Sequence, residues 1–433
     1  MKRRGHLRFA AVALLLAAAL VPAFAQSKPV TITWWEFPNF GTIDNEVGKY
    51  ERQVAAAFQE KYPNIKINLE MLDFAGGPAK VNVAITSGTT PDIIFDAPGR
   101  IIDWAKTGAL VPLDDLFAAP ANKDIYPGVL EACQTRGKFY MYPLNFADFN
   151  MAVNVDLFKK AGLEKMLPLD RPERTWTTAE FTAALKAIQA KYPDIMPVIV
   201  FSKGSGGDQG TRWLVQNLYG GDLMNKDKTA YTSNTPEFLK ALQWIKDGAA
   251  QGYVAKGGEA LTGTDSIQLF NQQKAAFVIV WSQVARSVNM NSRPVPFQDA
   301  YLSWPTPDGK NPRFEAFIGG LCIFDNKDAD KVAASKKFID FLCNDPVWGK
   351  KNLMSTGGFS PHANVPNPYS DPEIAWNYKM LKYTGRYFNT VDGFPKMRTF
   401  WFPMMQEMTL GLSEPKVALD KFTAAANDSI KNP

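Results

Sequence analysis

The run TPDIIFDAPGR, Thr90 to Arg100, sets Asp92 and Asp96 on either side of apolar residues and follows them with Arg100. A carboxylate accepts hydrogen bonds and a guanidinium donates them, so Asp96 and Arg100 together suit a polyhydroxyl solute. Asp92, directly after TTP, suits the turn into a strand. A second polar pair, Asp208 and Arg212, lies in the glycine-rich FSKGSGGDQGTRW. That loop lacks the Walker spacing and its closing Lys-Ser/Thr, so it is not a phosphate loop. Histidine is scarce, with two in the chain, His6 and His362. A Ser-His-Asp triad or a multi-histidine metal site needs more imidazoles than these. Cys133, Cys322 and Cys343 show no C-x-x-C spacing, which removes zinc and redox chemistry, and no cofactor is expected. Cys322 and Cys343 could pair, although buried free thiols are the favoured state. Paired carboxylates such as Asp96 and Asp148 leave a glycoside hydrolase open, because that chemistry needs no histidine.

The elements that must position these residues begin after a leader. MKRRGHLRF is basic, AAVALLLAAALV is apolar, and PAFA ends on small residues at Ala25. This pattern predicts a signal peptide over 1–25. Its apolar run is too short to cross a bilayer, which takes about 20 residues. No cysteine follows Ala25, so an exported chain without a lipid anchor is expected, in the periplasm. The leader holds four of the 48 basic residues and none of the 43 acidic ones, so the remainder carries a formal charge of +1. Nothing in that balance predicts a nucleic-acid partner. The length that remains suggests two domains.

VTITWW, IKINLEML and DIIFD read as strands that alternate with helical patterns, the first of them set by Val47, Tyr50, Val54 and Phe58. Gly108 stops the helix that follows DIIFD. MAVNVD (Met151 to Asp156), MPVIVF (Met196 to Phe201), KAAFVIVW, YLSWPTPDG (Tyr301 to Gly309) and FIGGLCIF are further strands. Thr177 with Glu180 makes a capping box, and Pro236 opens another helix. The alternation predicts an α/β fold with mainly parallel sheets. Ligands of such sheets sit beyond the carboxyl ends of the strands. That rule selects Trp35 and Glu36 after the first strand, with Trp34 and Trp35 on opposite faces. It also selects Trp281 at the end of VIVW. Gly319, beside Gly320, allows close backbone approach.

In order along the chain, TITWWEF, FQEKYPNIKIN, SGTTPDIIFDAPGR, AKTGALVPLDDLF, GKFYMYPLNFADFN, NQQKAAFVIVWS, YLSWPTPDG, FIGG, STGGFSPHANV and GLSEPKVALD resemble the extracellular solute-binding proteins of ABC sugar importers, the family that includes maltose-binding protein. The resemblance covers nearly the whole chain after the leader. It implies a two-lobe fold with each lobe a mainly parallel sheet flanked by helices, and a ligand cleft between the lobes. Lobe one would be 27–145 plus 302–349, and lobe two 149–298 plus 355–433. Hinges would lie near 143–148, 298–302 and 350–358. It further implies capture of a carbohydrate by hinge closure, delivery to ABC permease subunits, and a monomer without enzymatic activity. Asp96 and Arg100 fall on ligand-contact positions of the family, and Gly99 replaces an acidic residue of its maltose-binding member, which speaks against maltose. Asn145, Asp148 and Asn150 fall at the first hinge. Trp281 matches a ring-stacking position, and Trp401 lies in a late aromatic cluster with Arg398 nearby. Arg100, Arg212 and Arg398 leave a sugar acid or a glycerol phosphodiester open as the ligand.

Overall fold

The computed structural model describes residues 28–432 apart from 45, 74–75, 119–121, 205–206, 291–292 and 385–386, so the expected leader lies outside the described residues. β-branched and aromatic residues form β1 (Val30–Glu36), which pairs in parallel with β2 (Ile65–Met71) and β3 (Ile93–Asp96). A short hairpin, β4 (Gln134–Thr135) with β5 (Lys138–Phe139), precedes the long β6 (Tyr142–Asn154). β7 (Met196–Val198) runs parallel to β8 (Ala275–Trp281). β9 (Asp299–Leu302) and β10 (Glu315–Ile323) complete the set.

β10 lies between β3 and β6, antiparallel to both. β6 pairs with β10 over Tyr142–Phe149, then with β8 and β9 over Asn150–Asn154, again antiparallel. In chain direction, β10 alone opposes β1, β2, β3 and β6 in the first half. In the second half, β6 alone opposes β7, β8 and β9. Each half is therefore a mainly parallel sheet flanked by helices, joined through β6, and the expected two-lobe α/β architecture is present.

Both faces of the first sheet are buried. Trp34, Phe95 and Phe338 share one core, while Trp35, Ile94, Trp104 and Phe146 share the other. Trp34 and Trp35 do point to opposite faces. The second half has one large core around Phe181, Phe277, Trp281 and Trp401. Trp304 and Phe314, expected in lobe one, also pack in that core. The capping box forms, with Thr177 accepting from the Glu180 amide and Glu180 accepting from the Thr177 amide.

Several expected elements end elsewhere, for physical reasons. Segment 143–148, an expected hinge, forms the first half of β6, with its backbone groups satisfied by β10. The strand expected through Gly309 stops at Leu302, ahead of Pro305 and Pro307, which cannot donate to a ladder. Val47 lies outside the first helix and is half exposed, since Gly48 at φ +81° precedes the helix start at Lys49. The helix Trp348–Thr356 fills most of 350–358, and Gly357 at φ +70° ends it. All three cysteines are free.

Asp92 ties the first sheet together. It is buried, and accepts from the Thr33 amide at 2.8 Å, the Asn326 side chain at 2.9 Å and Lys331 at 3.1 Å. These partners come from β1, from the segment leaving β10 and from the helix Ala329–Asn344 that follows it. Replacement by alanine strands a buried amide donor. Asp92→Ala is expected to lower unfolding stability by about 2–3 kcal/mol, read as a shift of the denaturant midpoint.

Candidate functional site

The glycine-rich loop leads into helix Gln209–Tyr219, which is pressed onto β8. Gly210 makes that approach possible, because a Cβ there would lie 2.1 Å from the Ile279 carbonyl oxygen. The helix places Asp208 and Arg212 one turn apart, and they form an ion pair that is almost wholly buried. The other terminal nitrogen of Arg212 donates to both oxygens of Glu315 at 3.1 Å. Trp213 Nε1 donates to Glu315 at 2.5 Å, and Asn389 Nδ2 does so at 2.7 Å. Arg398 reaches Asp208 from helix Phe394–Leu410, donating through Nε at 2.8 Å and Nη2 at 2.7 Å. The rings of Phe394 and Phe388 lie 5.2 and 5.8 Å from the Arg212 guanidinium. Burial works against the Arg212 charge, but Asp208 and Glu315 outweigh it and hold its pKa above the usual value.

Across from this cluster, Arg100 Nε donates to Asp96 at 2.6 Å, and the Ala97 amide donates to the same carboxylate. Burial raises the Asp96 pKa against the pull of Arg100. The Arg100 side chain is 42% exposed and lies over the Phe37 ring at 5.6 Å, so it is the most exposed guanidinium of the group, ahead of Arg398. Segment 387–389 joins the two pairs. A Cβ on Gly99 would sit 3.2 Å from the Asn389 carbonyl oxygen, and Asn389 also donates to Glu315. Tyr387 lines a cavity of about 180 Å³ with Tyr126, Phe146, Ala316 and Thr384. Thr384 donates to Asp148 Oδ1 at 2.7 Å, while Oδ2 is buried and has no hydrogen-bond partner among the described residues. Burial pushes the Asp148 carboxyl up to about 8.

Asp96, Arg100, Asp208, Arg212 and Arg398 thus come together between the two halves, with Asp148 close by. The remaining sequence-selected residues are buried in packing roles, Glu36 among them within coulombic reach of Asp96. Trp35 is buried, with the Lys80 ammonium 4.6 Å over its ring. Glu36 is fully buried and accepts from Trp34 Nε1 and Asn39, each at 2.9 Å. Its pKa is raised well above normal by burial. Asn145 and Gly319 face each other on the other face of the sheet, where a Cβ on Gly319 would meet Asn145 Oδ1 at 2.4 Å. Gly319 therefore serves strand packing here. Asn150 bonds Asn377 inside the fold. Trp281 is fully buried against Phe270 and Arg293. Trp401 is fully buried and donates to Thr211 at 3.0 Å. Neither indole is open as a stacking platform in this conformation. Glu315, Trp213, Tyr387, Phe388 and Asn389 were not selected from sequence. Glu315 carried one signal, a carboxylate opening an otherwise apolar strand.

Residues 43–347 match the family described as bacterial extracellular solute-binding protein. A binding protein of Brucella abortus is 23% identical over 395 residues, covering 89% of this chain and 91% of that protein. The sn-glycerol-3-phosphate-binding periplasmic protein of Escherichia coli is 24% identical over 384 residues, covering 80% and 78%. The crystal structure of the cyclic alpha-maltosyl-1,6-maltose binding protein of Arthrobacter globiformis superposes with a TM-score of 0.76 at 20% identity, covering 94% of this chain and all of that one. At that identity the superposition speaks for the fold alone.

The Asp148 environment has a pH consequence. Its folded pKa of about 8 lies above the ordinary carboxyl value of 3.8, so between these values the folded state holds a proton that the unfolded state releases. Stability from this group is full below about pH 4 and declines as pH rises through 8, by at most about 1.4 kcal/mol per pH unit. Asp148→Asn is expected to flatten that decline, measured as denaturant stability from pH 4.5 to 8. An unchanged slope would refute the buried-acid assignment.

Proposed function

The chain belongs to the bacterial extracellular solute-binding proteins, and we propose that it captures a carbohydrate or polyol outside the inner membrane and delivers it to an ABC permease. The supporting observation is the convergence of Asp96, Arg100, Asp208, Arg212 and Arg398 between two sheet halves that share one strand. Carboxylates in such a cleft accept from solute hydroxyls and guanidiniums donate to solute oxygens. The buried rings of Phe37, Phe388 and Phe394 pack against these guanidiniums.

In this reading the lobes divide as 27–145 plus 302–349 and 149–298 plus 355–433, except that 303–314 travels with the second lobe, where Trp304 and Phe314 pack. Closure turns about the point where β6 exchanges partners, between Phe149 and Asn150. Solute binding needs no bond to be broken, so the protein acts without turnover, as a monomer. The leader would direct export to the periplasm. The named relatives bind a glycerol phosphate and a cyclic maltosyl-maltose, and this chain takes a solute of related polyhydroxyl character.

A thermal-shift screen of sugars, polyols and sugar acids tests the reading, since a solute that binds only the folded state raises the melting temperature. Asp96→Ala is expected to weaken the affinity of the identified solute about tenfold or more, the worth of a lost charged hydrogen bond. Product released from a labelled oligosaccharide by the purified protein would sink the proposal.

A further inference from the structure

We infer that Glu315 is an internal anion, filling an anion-binding pocket from within the chain, so that the cleft selects uncharged polyhydroxyl solutes over anionic ones. The selectivity rests on the cleft being the solute site; the internal-anion role does not. Arg212 addresses both Glu315 oxygens, and Trp213 and Asn389 add one hydrogen bond each. Three side chains thus converge on one carboxylate that is 2% exposed. The donors come from helix Gln209–Tyr219 and the 387–389 segment, while the acceptor comes from the start of β10. This is the donor set a ligand carboxylate or phosphate would need, and the chain has already satisfied it.

The rest of the cluster is balanced in the same way. Arg100 is matched by Asp96, and Arg212 and Arg398 share Asp208. With Glu315, three guanidiniums face three carboxylates. An incoming anion must either displace Glu315, leaving a buried charge unpaired, or lie beside it against like charge. A hydroxyl meets neither obstacle. It can take the exposed side of Arg100.

Two measurements test this. Glu315→Ala removes the atoms that acetate can replace. Acetate is expected to raise the melting temperature of that variant well beyond the effect of acetamide, or of chloride at equal ionic strength, and to leave the wild type unmoved. Equal effects of acetate and acetamide would overturn the internal-anion assignment. Should the alanine variant not fold, Glu315→Ser, which also vacates the place of the carboxylate, carries the same comparison of acetate with acetamide, and equal effects again overturn the assignment. The second measurement is calorimetric titration with matched neutral and anionic pairs, glucose with glucuronate and glycerol with glycerol 3-phosphate. Wild type is expected to favour the neutral member at least about tenfold, and Glu315→Gln to lose that preference. Wild-type preference for an anionic member overturns the selectivity. If no neutral solute binds the wild type at all, the carbohydrate reading falls, while the acetate result still decides the role of Glu315.

Discussion

One thirteen-residue strand, β6, is hydrogen-bonded to both halves of the molecule. Backbone groups in a buried strand must all find partners, and β6 finds them in two different places. Over Tyr142–Phe149 they come from β10, and over Asn150–Asn154 from β8 and β9. The two halves therefore cannot separate by loss of pairing without a large free-energy cost. Under the proposed closure, the place for a turn is where the ladder changes hands, between Phe149 and Asn150. The charged cluster draws its residues from elements of both halves, so such a turn would change their separation.

Burial dictates the form of the charge cluster. Ionised groups at 1–2% exposure persist only when each is paired and hydrogen-bonded. Arginine meets that demand because its planar fork addresses two acceptors at once, as Arg212 does with Asp208 and Glu315. A lysine could not hold both with the same geometry. The carboxylates that lack a cationic partner, Glu36 and Asp148, respond in the other available way, and their pKa values rise. Burial thus pushes up Glu36 and Asp148 with only neutral partners beside them, and even Asp96 is raised against the pull of Arg100.

Local pattern carried most of the fold. The alternation of strands and helices, the capping box at Thr177 and the opposed faces of Trp34 and Trp35 are all properties of neighbouring residues, and the structure has them. The length of β6 was not legible, because Pro143 and the polar Asn145 and Asp148 resemble a linker until a partner strand from far along the chain covers them. The site divided along the same line. Asp208 and Arg212 are one helical turn apart and stayed together. Trp35, Trp281 and Trp401 sit where ligand platforms are expected, but helices and long side chains from distant segments cover their rings. Glu315 enters through tertiary placement alone, since its partners Arg212, Trp213 and Asn389 all lie far from it along the chain.

The two faces of β6 carry unlike obligations. On one, Asn145 is wedged between Gly319 and Gly358, where any side chain on either glycine would collide with it. On the other, Phe146 borders the cavity by Tyr387, near Asp148 and the charge cluster. Substitutions on the second face alter the shape and polarity of the cleft without disturbing the clamp on the first. One strand thus answers to two separate constraints, close packing against glycine backbone on one face and the lining of a cavity on the other.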